Sequence, residues 1–218
     1  MVIDGAATLL ERERELEALG NALTDARLGR GQMVLVEAGG GLGKTSLLKA
    51  ASNAADEAGF RCLRARASEL ERDFAYGCVR QLLEPSVATL AVSERDRLFE
   101  GAAALSEPLF APTGVELSSR SADLSLSMLH GLYWLLNNLA DGGPVALSVD
   151  DLHWSDRESL RFLNYVAPRL DGLCVVVLAS TRPGGRPTDL ARLAASPETT
   201  VLRPAPLSIA ATAVLCER

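Results

Sequence analysis

The sequence predicts an α/β fold, with a mostly parallel sheet carrying helices on both faces in a three-layer α/β/α arrangement. Two observations predict it. The runs GQMVLVEA (31–38), PVALSVDD (144–151) and LCVVVLASTRP (173–183) have the length and Val/Leu content of buried strands. Between them lie segments with apolar residues at helical spacing, and parallel strands need such crossovers.

Taken in order, residues 8–28 read as a helix with Leu9, Leu16, Leu19 and Leu23 on its apolar stripe. The first strand follows, then a helix at 44–57, then a second strand in FRCLRARA near Phe60. AYGCVRQLLEP reads as a helix stopped near Pro85, because a proline lacks the amide that continues a helix. SERDRLFEGAAAL reads as another, opened by a Ser93 cap, and EPLFAPTGVELSSRSA as an exposed loop. In ADLSLSMLHGLYWLLNNLADGG, residues Leu129, Leu132, Tyr133, Leu136 and Leu139 mark one helical face, and Gly142 and Gly143 end it. DRESLRFLNYVAPRL is a helix, a short one is expected near 188–195, and TTVLRP is a fifth strand. PLSIAATAVLCER starts a last helix capped by Ser208 and stops at Arg218 without a closing element, as a fragment of something longer would.

The composition narrows the function classes. A chain of 218 residues, 48% hydrophobic and 23% charged, is an ordinary globular mixture of a length to form one domain. Its net charge of −6 gives no overall electrostatic footprint for nucleic acid. Cys62, Cys78, Cys174 and Cys216 are spaced too irregularly for a zinc knuckle or a redox CxxC, and two histidines exclude a histidine-rich metal site. Reduced thiols in a cytoplasmic protein are the expectation. The apolar runs fall far short of the roughly 18–20 residues that a membrane span needs, and the N-terminus turns acidic and helical too soon for a signal peptide.

The chemistry concentrates in AGGGLGKT, residues 38–45. It fits G-x-x-x-x-G-K-[ST], the strand-to-helix turn whose backbone amides wrap phosphate oxygens, except that Ala38 replaces the first glycine. Alanine fits there when its φ is negative. Ala38, Gly39, Gly40, Gly41, Leu42, Gly43, Lys44, Thr45 and Ser46 thus form a candidate phosphate site. Lys44 reaches the β- and γ-phosphates, and Thr45 offers its hydroxyl to Mg²⁺. The positive end of the following helix faces the anion.

Asp150 and Asp151 end an apolar strand, where adjacent carboxylates are costly unless a cation sits nearby. In a nucleotide site, Asp150 holds Mg²⁺ and Asp151 orients the attacking water. His153 and Trp154 follow. They read equally well as contacts to a partner domain or as a capping histidine and a core tryptophan. Ser180, Thr181 and Arg182 end the VVVLASTRP strand and are candidates for sensing the γ-phosphate, Arg182 also for meeting a neighbouring carboxylate.

In this order the three pieces resemble the P-loop ATPase domain of the STAND class, within the AAA+-like ATPases. The likeness is strongest to the N-terminal ATPase module of large actinobacterial LuxR-type transcriptional regulators. LLERERELEAL resembles that family's opening G-R-E-x-E-L box, with Arg12 and Glu13 in place and Glu11 at its glycine. ARASELERDFAYGCVRQLLEP, LHGLYWLLNNLADGGPVALSVDDLHWSDRESLRFLNYVAPRL, LASTRP and LRPAPLS carry the likeness along the chain.

The resemblance implies a P-loop NTPase sheet of ASCE-type order 5-1-4-3-2, Arg12 near the adenine, and residues 1–218 as one ATPase domain binding ATP/ADP and Mg²⁺. It implies a cytoplasmic nucleotide switch that hydrolyses ATP slowly, with Lys44, Asp151 and Arg182 in the reaction. The longer regulator would add a lid, helical repeats and a DNA-binding helix-turn-helix, and could self-assemble. Two other readings stay open: a catalytically inactive nucleotide-binding or interaction module, and a small-molecule kinase, although no Arg-rich lid segment is evident. Guanine specificity lacks its N/T-K-x-D stretch.

Overall fold

The structure is a computed structural model and describes residues 3, 9–111, 122–184 and 188–216. Five parallel strands form its sheet: β1 (Gln32–Glu37), β2 (Arg61–Arg66), β3 (Val145–Asp150), β4 (Val175–Thr181) and β5 (Thr199–Leu202), in the order β2-β3-β4-β1-β5. This is the expected 5-1-4-3-2 order read from the other edge. β1 lies between β4 and β5, with Val36 opposite both Ser180 and Leu202.

Helices cover both faces, which is why β4 is buried along its whole length. One face carries α1 (Glu13–Arg27) and α2 (Lys44–Glu57), where Leu16, Leu19, Leu23, Leu47 and Leu48 pack against Val34, Val36, Val176 and Leu178. The other carries α3 (Gly77–Ala88), α4 (Val92–Leu98), α5 (Ala122–Asp141), α6 (Arg157–Val166) and α7 (Thr188–Ala195). A last helix, α8 (Ile209–Cys216), buries only Ala211. Its Ser208 cap accepts from the Ala211 amide at 3.1 Å, as expected.

Four local expectations are corrected. The α3 helix continues through Pro85 to Ala88, because its apolar stripe runs on to Val87, which is 3% exposed, while Pro85 faces solvent. Ser93 does not cap α4, which starts at Val92. The Ala91 amide donates to the Glu94 carboxylate and the Ala91 carbonyl accepts the Glu94 amide.

The first part of the expected loop, Glu107–Phe110, belongs instead to a 3-10 helix, Gly101–Phe110, that buries Leu109 and Phe110. Residues 112–121 lie outside the described residues. Phe110 meets Phe99 with ring centroids 5.8 Å apart, and α5 approaches closely at Gly131, where a Cβ would sit 2.6 Å from the Ser106 amide. The helix expected over 8–28 begins only at Glu13, after a left-handed residue at Glu11.

Candidate functional site: a phosphate loop facing two carboxylates

In a parallel sheet with alternating helices, ligands gather at the carboxyl ends of the strands. Those ends carry the residues singled out from sequence. The 38–45 loop leaves β1 and enters α2 at Lys44, with Gly41 and Gly43 at φ of 75° and 81°. Side chains are strained in that region, so these two glycines shape the turn. Ala38 is outside the positive-φ set and is buried, and its amide donates to the Thr181 carbonyl at 3.1 Å. The position behaves as one more strand residue, so alanine adds no strain.

Lys44 is 7% exposed and its Nζ donates to the Gly39 carbonyl at 2.8 Å, across the mouth of the loop. Thr45 and Ser46 are exposed on the first turn of α2. Thr45 Oγ1 donates to Asp150 Oδ2 at 2.8 Å, joining the loop to the acidic strand end. Ser180 Oγ, wholly buried at the end of β4, donates to Asp150 Oδ1. Ser180 Oγ also accepts the Asp151 amide at 3.0 Å, and that amide reaches Asp150 Oδ1 at 3.1 Å as well. Asp151 is left-handed, with φ at 54°, and its Oδ2 lies 3.4 Å from Nη2 of Arg66 at the end of the edge strand β2. Thr181 is buried, with its hydroxyl on the Arg182 carbonyl, and Arg182 is exposed.

His153 lies in the same field. Both its ring nitrogens are buried without a hydrogen-bond partner, and its ring lies 5.0 Å from that of Trp154. Burial is the leading reason its pKa falls below the ordinary 6.5. Among nearby charges Asp151 and Asp150 favour the proton, while Arg182 and Lys44 oppose it.

Arg12 is placed differently from the phosphate loop residues. It is 4% exposed and its terminal nitrogens donate to the carbonyls of Glu11 and Ala205, each at 2.8 Å. Glu11 Oε2 in turn accepts the Ser208 amide at 2.8 Å. The opening box therefore fastens the 205–208 segment, a role that sequence spacing did not reveal. Arg66, Gln81 and Asp156 were missed as well. The Arg66 amide donates to Gln81 Oε1 at 3.0 Å, and Asp156 accepts backbone amides from two helices. Only the run of arginines in RCLRAR, alternating with buried residues, gave any signal for Arg66.

The donors facing the loop are one hydroxyl and one carboxylate oxygen. That set suits a hard Mg²⁺ ion whose remaining ligands are phosphate oxygens and water. Among the described residues, no group of three or more His, Cys, Asp or Glu could hold a metal. Burial pushes the Cys62 and Cys78 thiols up to about 12 and about 11, away from the thiolate form. A cleft of about 890 Å³ opens elsewhere, between α4 and α5, beside Arg61, Arg97 and Trp134.

Sheet order, loop and facing carboxylates define a nucleotide-binding α/β domain of the P-loop class. The sequence matches the AAA ATPase domain family over residues 8–177, and the chain belongs to that family. Among solved structures it is similar to a chain of the Drosophila ORC bound to DNA, with 16% identity, a TM-score of 0.55, and coverage of 96% of this chain and 46% of that one. It is also similar to AMPPCP-bound DnaA from Aquifex aeolicus, at 18% identity and a TM-score of 0.46, over 96% of this chain and 51% of that one. The chain thus spans about half the length of these structures, with coverage of 46% and 51%. No curated protein matches it in sequence. No helix among the described residues is long and apolar enough to cross a membrane.

Proposed function

We propose that this chain is the ATP-binding switch domain of a longer, cytoplasmic LuxR-type transcriptional regulator of the STAND class, hydrolysing ATP slowly. The observation that carries the nucleotide site is the 2.8 Å bond from Thr45 to Asp150, which brings together two motifs 105 residues apart. The family assignment and the likeness of the opening box and LRPAPLS segments support the rest.

In this reading the amides of residues 39–45 and the Lys44 ammonium hold the phosphates, with Lys44 exchanging the Gly39 carbonyl for a phosphate oxygen. Thr45 and Asp150 hold Mg²⁺, which when bound supplies positive charge against the β- and γ-phosphates. Asp151 orients the attacking water, and Arg182 meets charge developing on the γ-phosphate. Arg12 supports the adenine end by fixing residue 205. DNA contact belongs to a C-terminal helix-turn-helix outside this chain, and ATP would favour self-assembly of the whole regulator.

Calorimetric titration with ATP and Mg²⁺, for the wild type and Lys44→Ala, tests the site. Saturable binding that disappears in the variant supports it. Equal binding by both proteins would sink it.

A further inference from the structure

We propose that the cleft between α4 and α5 is a second binding site, built for a small zwitterion that carries a planar aromatic ring, as an aromatic amino acid does. It opens beside Arg61, the first residue of β2, and Gly142, just ahead of β3. It therefore lies at the end of the sheet opposite the phosphate loop. At about 890 Å³ it has the volume of a small-molecule site.

One wall is a fixed aromatic plate. Trp134 is 41% exposed, yet its Nε1 donates to His130 Nε2 at 3.1 Å. With Nε2 accepting, the His130 proton sits on Nδ1, 3.2 Å from the Tyr165 hydroxyl on α6. Tyr133 braces the indole edge-on, with centroids 5.8 Å apart. The ring is thus held in place while part of it stays open to the cleft, as stacking against a ligand requires. The width is held as well, since Asn138 on α5 donates to the carbonyls of Leu98 at 2.9 Å and Glu100 at 3.3 Å. Buried Leu98 and Leu139 add apolar lining.

The charges narrow the ligand. Arg61, Arg97, Glu100 and Asp141 line the cleft and are exposed, and among the described residues none of the four forms an ion pair. Glu94 lines it too, but its carboxylate accepts the Ala91 amide at 3.1 Å. Two guanidiniums and two carboxylates that share a cleft without joining match a ligand that brings both signs. Its carboxylate would meet the guanidinium forks and its ammonium Glu100 and Asp141. A plain anion or a plain cation would satisfy one pair and be repelled by the other.

The test titrates the 218-residue chain with phenylalanine in the absence of ATP, so its outcome does not depend on the nucleotide site. The readout is the indole N–H resonances of the two tryptophans, Trp134 and Trp154, with the Trp134 signal assigned as the one lost in Trp134→Phe. A saturable shift of that signal, half complete below about 1 mM, is expected. Phenethylamine and 3-phenylpropionate each lack one charge and should bind about tenfold or more weakly. Phenylalanine should bind the double variant Arg61→Gln/Arg97→Gln more weakly by a similar factor; both side chains are exposed, so the fold is kept.

Absence of a saturable shift with phenylalanine overturns the proposal, as does unchanged affinity in the double variant. Equally tight binding of either one-charge analogue overturns it too. So does equally tight binding of N-acetylphenylalanine amide, which has neither charge and would mark the cleft as a groove for a peptide side chain.

Discussion

The carboxylate of Asp156 accepts the amide of Tyr76 at 2.8 Å, tying the start of α3 to the start of α6. The same side chain accepts Ser159 N at 2.9 Å and Cys78 N at 3.3 Å, so one anion serves the positive ends of two helices. Tyr76 itself is left-handed, with φ at 60°. Asp156 thereby joins the segment after β2 to the stretch that follows Asp150 and Asp151.

Because Asp156 is 2% exposed, Asp156→Ala leaves buried amides without an acceptor. A loss of about 3 kcal/mol in urea unfolding is expected, more than an ordinary exposed cap contributes. Asp156→Asn, which keeps an acceptor oxygen, should lose less. Equal losses in the two variants would contradict the keystone role.

Asp151→Asn should separate binding from turnover. ATP affinity is expected to stay within about threefold, while phosphate release falls by about a hundredfold or more, the usual worth of a positioned base. Arg66→Ala removes only the 3.4 Å contact of a side chain that is 74% exposed, so its melting temperature should stay at the wild-type value. A turnover rate for Asp151→Asn matching the wild type would remove Asp151 from the reaction.

His153 gives a pH signature. Its folded pKa lies below 6.5, chiefly through burial, so below pH 6.5 the unfolded chain takes up a proton that the folded chain refuses. This share of stability is complete above pH 6.5 and is lost as pH falls through the lowered folded value. His153→Gln should show a flatter decline between pH 7.5 and 5.5 in urea midpoints. Parallel curves for variant and wild type would refute the assignment.

Glu11 combines a strained backbone with a useful side chain, φ of 55° and a bond to the Ser208 amide. Hydrogen bonding from Ser208 also holds its carboxyl below the ordinary carboxylate range. Glu11→Ala loses the bond and keeps the strain, whereas Glu11→Gly loses the bond and relieves it. Glu11→Gly should therefore be the more stable of the two by about 1 kcal/mol in chemical unfolding. The opposite ranking would mean that the left-handed backbone costs nothing there.

What could be read from sequence was what local physics fixes. Val-rich runs became strands, and the glycine-rich 38–45 run became the turn from strand to helix. Ala38, a departure from the loop pattern, adds no backbone strain because its φ is not positive. Pro85 misled because local chemistry at one residue was outweighed by the stripe that ends in Val87. The 3-10 helix before residue 111 was hidden because Phe110 is buried by Phe99 and by the approach of α5, contacts that no short window contains. Arg66, Gln81 and Asp156 escaped for the same reason, since each acts through a partner on another element. Ser180 was legible only as a polar residue near its strand's end, and the structure shows its hydroxyl spent on Asp150.

The position of β1 also governs how this chain comes into being. Its two neighbours are β4 and β5, so Met33 through Val36 find their ladder partners only among residues 177–180 and 199–202. During synthesis the phosphate loop and its strand emerge early and wait, unpaired and strongly apolar, for more than half of the chain to follow. Such long-range closure is slow and exposes strand edges. A ribosome that halts before residue 175 releases a chain with no place to seat β1, and the phosphate loop meets the strand ends beside it only after β4 has been made.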